Sequence, residues 1–551
     1  IVLTSHAIYD DLGSDFHNNE NIIETIISAP PEPDDPSKGS CLVIRYGDIE
    51  PTIFGLTFQD GLGTTMSVSD CGVYRNDRSG GAILIYEAYP TIMYNRFLNN
   101  GGGENTGGNV VASVSNGGAI SHYDTEDVEF DEDRNQASQN NHSSRDIPEE
   151  LNIQNNYFEG NSAGDGENVY SKGYEGDIDV SGSVFEDIDC ETNTVNEFVL
   201  QSIENAADYI QNDISGVCIE SNSFYVSIIG DDNNVGTESE PLKTIGHALT
   251  LVRDAETPTT INLSSGFYSP SATGEHFPIV LPDNVHLIGD ESENTILDAE
   301  ADAENEAAVM IIKVVENVRV ANLTLTGGSS EGYGCTGGGG IQLSYDGVPS
   351  DATGDTSGWR ALTYPVIENV IIEENHAYNG GGMSFYRVEG PVLNNVTIRN
   401  NTATAFGGGI FSYVSTTTMT SVTITGNQNQ GNGQGGGIML ANSRGTFDNM
   451  TITNNTAVGA HGGGIWTNNS GGPDSYGGWT MTNSTISGNT SARHGGGIAF
   501  AWSHPTVINC TISDNTALWG GGGISGIGSG FTIKESIIRD NYTEGHGGGI
   551  R

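Results

Sequence analysis

Two histidines recur at one place in a repeat. His461 and His494 each stand directly before three glycines and an isoleucine, Gly462-Gly463-Gly464-Ile465 and Gly495-Gly496-Gly497-Ile498. If repeats stack, the two imidazoles lie a few ångströms apart, an arrangement that can hold a transition metal. The same slot carries Gly337, Asn379, Phe406, Gln434, Gly520 and His546, so the spacing supplies no third ligand. Asp231, Asp232, Asn233 and Asn234 gather hard oxygens in a turn, which suits Ca²⁺. Their spacing is not that of an EF-hand loop, and a polar turn is the plainer reading. Thr397, Thr423, Thr451, Thr485 and Thr511 form a column that could order water, although β-propensity alone explains it. Phe385, Tyr386, Phe406, Phe411, Tyr413, Trp466, Tyr476, Trp479, Trp502 and Trp519 fall on the expected turns. Such rings could stack on sugars, contact another protein, or pack beneath loops.

These residues need a scaffold, and the sequence states its period. Glycine clusters close on Ile341, Met383, Ile410, Ile438, Ile465, Ile498, Ile524 and Ile550, mostly 26 to 28 residues apart. A second beat, Ile-x-x-Asn, runs in phase at Ile372/Asn375, Ile398/Asn401, Ile424/Asn427, Ile452/Asn455, Ile486/Asn489, Ile512/Asn515 and Ile538/Asn541. Between beats, apolar and polar residues alternate at strand spacing, with no helical stripe. One coil then holds three short strands and three turns, and it buries its apolar side only by stacking on its neighbours. The fold expected is all-β: a right-handed parallel β-helix, two in tandem. Glycine supplies corners with φ > 0. Asparagine tolerates the same region and can bond an asparagine one coil away, so the Asn column reads as a structural ladder.

The formal net charge is -51. Residues 1–300 carry 53 acids and 10 Lys+Arg, residues 301–551 carry 18 and 10, so the acidity sits in the first part. Such a surface repels nucleic acid and anionic lipid. It suits high salt or divalent cations, which screen self-repulsion. No apolar run is long enough to enter a membrane directly. Of six cysteines, Cys41/Cys71 and Cys190/Cys218 lie about one coil apart, a spacing that allows disulfides. Residues 1–222 read as a first, acidic β-helix, with polar inserts at 29–39 and 124–150. Residues 223–300 read as a cap and first coils, with a short helix over 248–252 that Thr244 could cap. Residues 301–551 read as the regular second β-helix. Both ends read as cut from inside a repeat of something longer.

The strand–turn–helix block at 224–298 resembles the amino-terminal cap of secreted right-handed β-helix proteins of the pectate-lyase-like superfamily. Gly80-Gly81-Ala82-Ile83 with Phe97-Leu98-Asn99-Asn100 resembles the repeats of chlamydial polymorphic outer membrane proteins. The resemblance implies a right-handed coil and an extracellular or cell-surface address. It implies no single activity, because that superfamily holds lyases, hydrolases and adhesins. Gly545-His546-Gly547 is similar to one element of its polygalacturonases, but the partner motifs are missing beside it. The expectation is therefore a non-enzymatic structural or adhesive protein, part of a larger surface protein or filament. It needs no cofactor, with Ca²⁺ as an option. Its partners would be further copies, other surface proteins or glycans, and not nucleic acid. A polysaccharide lyase or hydrolase, or a carbohydrate-binding module, is the alternative.

Overall fold

The computed structural model describes the chain except residues 30–38, 46–49, 71–72, 102–116, 125–127, 130–146, 164–165, 175, 197–199, 201–207, 254–257, 304, 313–314, 332–336, 345–360, 469–477 and 529. Most of the two expected inserts, and Cys71, Cys335 and Tyr476, lie outside the described residues. Two compact units are present. One comprises 1–69, 74–222 and 246–259; the other comprises 70–73, 223–245 and 260–551. Both are right-handed parallel β-helices. Among the described residues, no helix is long and apolar enough to cross a membrane.

In the second unit the repeat sets four sheets, here A to D in chain order. One coil runs Val388–Asn394 (A), Thr397–Arg399 (B), Thr402–Phe406 (C) and Ile410–Tyr413 (D). Three strands per coil were expected. The fourth arises because the residues after the ladder asparagine pair with the next coil, as Thr456 with Thr490 and Ala457 with Ser491. Sheet B stacks Ile372, Ile398, Ile424, Ile452, Ile486, Ile512 and Ile538 in register. From Ile372 to Ile512 they are fully buried. Each such side chain contributes about 1.5–3 kcal/mol of burial.

The asparagine ladder runs as expected. Asn401 Nδ2–H donates to Asn427 Oδ1, Asn427 to Asn455, and Asn455 to Asn489, each at 3.0 Å. The last pair is 34 residues apart and the first 26, yet the bonds are equally long. The expected role of asparagine in left-handed backbone needs correcting. The residue before each ladder position holds positive φ: Glu374, Asn400, Gly426, Asn454, Gly488, Asp514 and Asp540. That residue makes the turn, which points the following amide inward.

In the first unit, Phe58, Phe97, Phe158 and Phe185 stack with centroids 5.4, 5.2 and 5.1 Å apart. Asn100 bonds Asn161 at 3.0 Å in the same ladder geometry. Cys190 and Cys218 form the expected disulfide, with Cα atoms 5.3 Å apart. Cys41 is a free thiol whose Sγ faces the Gln59 carbonyl, so the pairing expected for it is not seen. The helix spans Ile245–Thr250. It was expected within a 223–300 block, but residues 246–259 group with the first unit. The reason is chemical: Asn196 donates to the Thr250 carbonyl at 2.8 Å, and Arg253 pairs with Asp189 at 3.0 Å and Glu191 at 2.8 Å.

His122 is fully buried in this unit. Its Nδ1 lies 3.2 Å from Ser171 Oγ, and the Tyr174 ring meets it edge-on at 5.2 Å. Burial pulls its pKa down to about 4, against a weaker contrary bond from the Ala88 carbonyl. The folded state therefore holds it neutral while the unfolded chain takes a proton near pH 6.5. Its contribution is complete above that pH and falls as pH drops toward 4, by about 3 kcal/mol. Denaturant unfolding of His122→Gln across pH 7 to 4 should show a shallower loss than the parent. Parallel pH profiles would contradict this.

Candidate functional site

Sheet D turns alternate side chains outward. Its strands include Ile341–Ser344, Met383–Tyr386, Ile410–Tyr413, Ile438–Ala441, Ile465–Asn468, Ile498–Ala501 and Ile524–Ile527. Backbone pairing lines up a first outward row of Gln342, Ser384, Phe411, Met439, Trp466, Ala499 and Ser525. A second row holds Ser344, Tyr386, Tyr413, Ala441, Asn468, Ala501 and Ile527. Phe411, Met439, Trp466 and Ala499 form one buried apolar cluster, with the half-buried Tyr386, Phe406, Tyr413 and Ala441 packed against it. The Tyr386 and Tyr413 rings stack at 5.2 Å, and Arg387 lies 5.8 Å over Tyr386. Trp502, 57 % exposed, follows the strand at the far rim.

The aromatic residues do not all belong here. Phe385 and Trp479 were expected on turns and are fully buried. Phe385 takes an inward position of sheet D, paired with Ser412, and Trp479 packs on Phe447 at 5.9 Å. A period read to the residue, rather than to the turn, separates inward from outward rings.

The near rim is the slot before the glycines. Its alignment is fixed by backbone bonds: Gly380 N–H to Phe406, Gly407 to Gln434, Gly435 to His461, Gly462 to His494, Gly495 to Gly520 and Gly521 to His546. The structure brings His461 and His494 together, as expected, with rings 5.2 Å apart and 14° from parallel. Arg551 Nη1 lies over the His494 ring, 2.7 Å from Nδ1 and 3.1 Å from Nε2. Burial, then the neighbouring His494 and Arg493, pull His461 down to about 4. Burial and Arg551 also lower His494. Arg493 itself lies 5.2 Å over the Trp519 ring, which meets His494 edge-on at 5.7 Å. The sequence pattern showed the histidines but not the arginines, because Arg493 and Arg551 sit outside the slot.

Asp231, Asp232, Asn233 and Asn234 do form a turn. Asp231 Oδ1 accepts from the Asn233 backbone at 3.0 Å and its side chain at 2.7 Å, which lowers its pKa. Asp232 accepts from Lys243 N–H at 2.8 Å and from Thr244 N–H and Oγ1–H, both at 2.9 Å. Asn234 Nδ2–H donates to the Pro241 carbonyl at 2.8 Å. Asp231 thus closes the turn on itself, and Asp232 ties it to the residues before the helix. Buried Glu275 also accepts from Ile245 N–H at 2.6 Å, at the start of the helix. Among the described residues, no three His, Cys, Asp or Glu side chains are grouped to hold a metal.

Residues 408–551 match a family described as a right-handed β-helix region, and 228–336 match a family described as a protein of unknown function, DUF1565. Among curated proteins, none matches the chain. Solved structures that share the coil include a pectate lyase, at 13 % identity and TM-score 0.36, over 57 % of this chain and 78 % of that one. A pectin methylesterase from Yersinia enterocolitica matches at 13 % and 0.27, over 53 % and 89 %. The A-module of a mannuronan C-5 epimerase from Azotobacter vinelandii matches at 11 % and 0.24, over 52 % and 90 %. Identities this low carry no activity over to this chain.

Proposed function

We propose that this right-handed β-helix is a non-enzymatic, extracellular structural and adhesive protein that holds a glycan against the outward side of sheet D. The observation that carries the reading is the stacked, half-buried Tyr386–Tyr413 pair with Arg387 over it, seated on the buried apolar cluster of Phe411, Met439, Trp466 and Ala499. Flat rings with polar neighbours suit the apolar faces of sugars. The Cys190–Cys218 disulfide supports an oxidising compartment. The likeness of residues 80–100 to chlamydial surface repeats supports a cell-surface address, within a larger protein or filament.

Binding to immobilised pectin, alginate and neutral glycans tests it, alongside an assay for unsaturated products with and without Ca²⁺. The parent should bind at least one glycan and release no product. Tyr413→Ala, which removes one ring of the stacked pair, should weaken that binding about tenfold. Product release would overturn the reading in favour of a polysaccharide-active enzyme. Equal binding by Tyr413→Ala would detach it from this face.

A further inference from the structure

The near rim of the same face carries an unusual charge pattern. The chain has a net charge of -51 and only 20 Lys+Arg. Yet four cation-capable side chains, His461, His494, Arg493 and Arg551, converge on one corner. Among the described residues, neither arginine pairs with a carboxylate, and the charged groups acting on the two imidazoles are cationic or imidazole groups only. Gly520 makes room in the slot: a Cβ there would stand 2.9 Å from Arg551 Cδ and 3.2 Å from Nη1. The Arg493 backbone is tied on both sides, its N–H to the Ala460 carbonyl at 3.0 Å and its carbonyl to Trp519 N–H at 2.8 Å. A guanidinium has five N–H donors, so Arg551 keeps others beyond its contact with His494.

We propose that His461, His494, Arg493 and Arg551 bind a sulfate- or phosphate-type oxyanion carried by a glycan, with the Trp519 face beside it for the sugar. The proposal rests on the glycan-holding reading of sheet D and adds the chemical class. Two arginines crowded against the imidazoles are relieved by an anion. Donors arriving from both sides of the Gly520 gap suit three terminal oxygens better than the two of a planar carboxylate. An anion seated there also favours protonated imidazole, so binding should tighten as pH falls.

The experiment uses the full chain with four probes: sulfated dextran, dextran, polygalacturonate and inorganic sulfate. Sulfated dextran should bind at least tenfold tighter than dextran or polygalacturonate, and tighter at pH 5.5 than at pH 8. Arg493→Gln and Arg551→Gln, each with an unchanged melting midpoint, should lose most of that preference. Inorganic sulfate should raise the pKa of His494, followed by its imidazole NMR shifts, even if the polymer is excluded. Arginine variants that bind sulfated dextran like the parent would overturn the proposal, as would equal affinity for polygalacturonate. Loss of binding in Tyr413→Ala but not in the arginine variants would sink this inference while sparing the glycan reading.

Discussion

Asn427→Ala should destabilise the second unit by about 2–4 kcal/mol, out of proportion to the few atoms removed. Asn427 is fully buried. Its Oδ1 accepts from Asn401 N–H and Nδ2–H, both at 3.0 Å, and its Nδ2 donates to the Ile398 carbonyl at 2.9 Å and to Asn455 Oδ1 at 3.0 Å. Alanine leaves the Asn401 backbone N–H buried without its acceptor and takes a donor from both the Ile398 carbonyl and Asn455 Oδ1. Asn427→Asp should be worse at neutral pH, since a carboxylate cannot donate to Ile398 or Asn455 and carries a charge into the interior. Denaturant unfolding of both variants against the parent measures this. A loss under about 0.5 kcal/mol for Asn427→Ala, the scale of an ordinary surface change, would show that the ladder is not cooperative.

Gly436→Ala should be the more damaging change, costing more than about 4 kcal/mol or preventing folding of that coil. The reason is space and not backbone conformation. A Cβ on Gly436 would meet the Gly463 carbonyl oxygen at 2.5 Å and Thr456 backbone carbon at 2.5 Å. Both obstacles are main chain of the adjoining coil, so no side-chain rotation relieves them. Gly274 is the control: its φ is +82°, but nothing lies within 4 Å of a Cβ there. Gly274→Ala should cost only about 1 kcal/mol, the strain of left-handed backbone. Circular dichroism melts would separate the two; equal midpoints would refute the spatial argument.

The glycine triplets show how far the sequence can be read. Their period announced the stacking, and Ile398, Ile424 and Ile452 do lie in one interior column. Only the first glycine of the Gly435-Gly436-Gly437 triplet has positive φ, whereas the second and third leave room for the next coil. Composition cannot distinguish these duties, because both call for the same residue. The fourth strand was invisible for a related reason: pairs such as Thr456-Ala457 are too short to show alternation, and only a neighbour one coil away makes them strands. The candidate site was half legible. A shared slot pointed to His461 and His494, since position in a period is a one-dimensional property. Arg493 reaches the same corner from one residue earlier, and Arg551 through the gap at Gly520, which is a matter of three-dimensional vacancy.

The constant ladder bond across unequal coils has a further implication. Asn455 and Asn489 meet as closely as Asn401 and Asn427 although eight more residues separate them. Coils of unequal length therefore share one axial rise. Pitch is thereby set by the column and not by the length of chain between its members. A short peptide inserted between two ladder positions should leave the melting midpoint of the second unit unchanged.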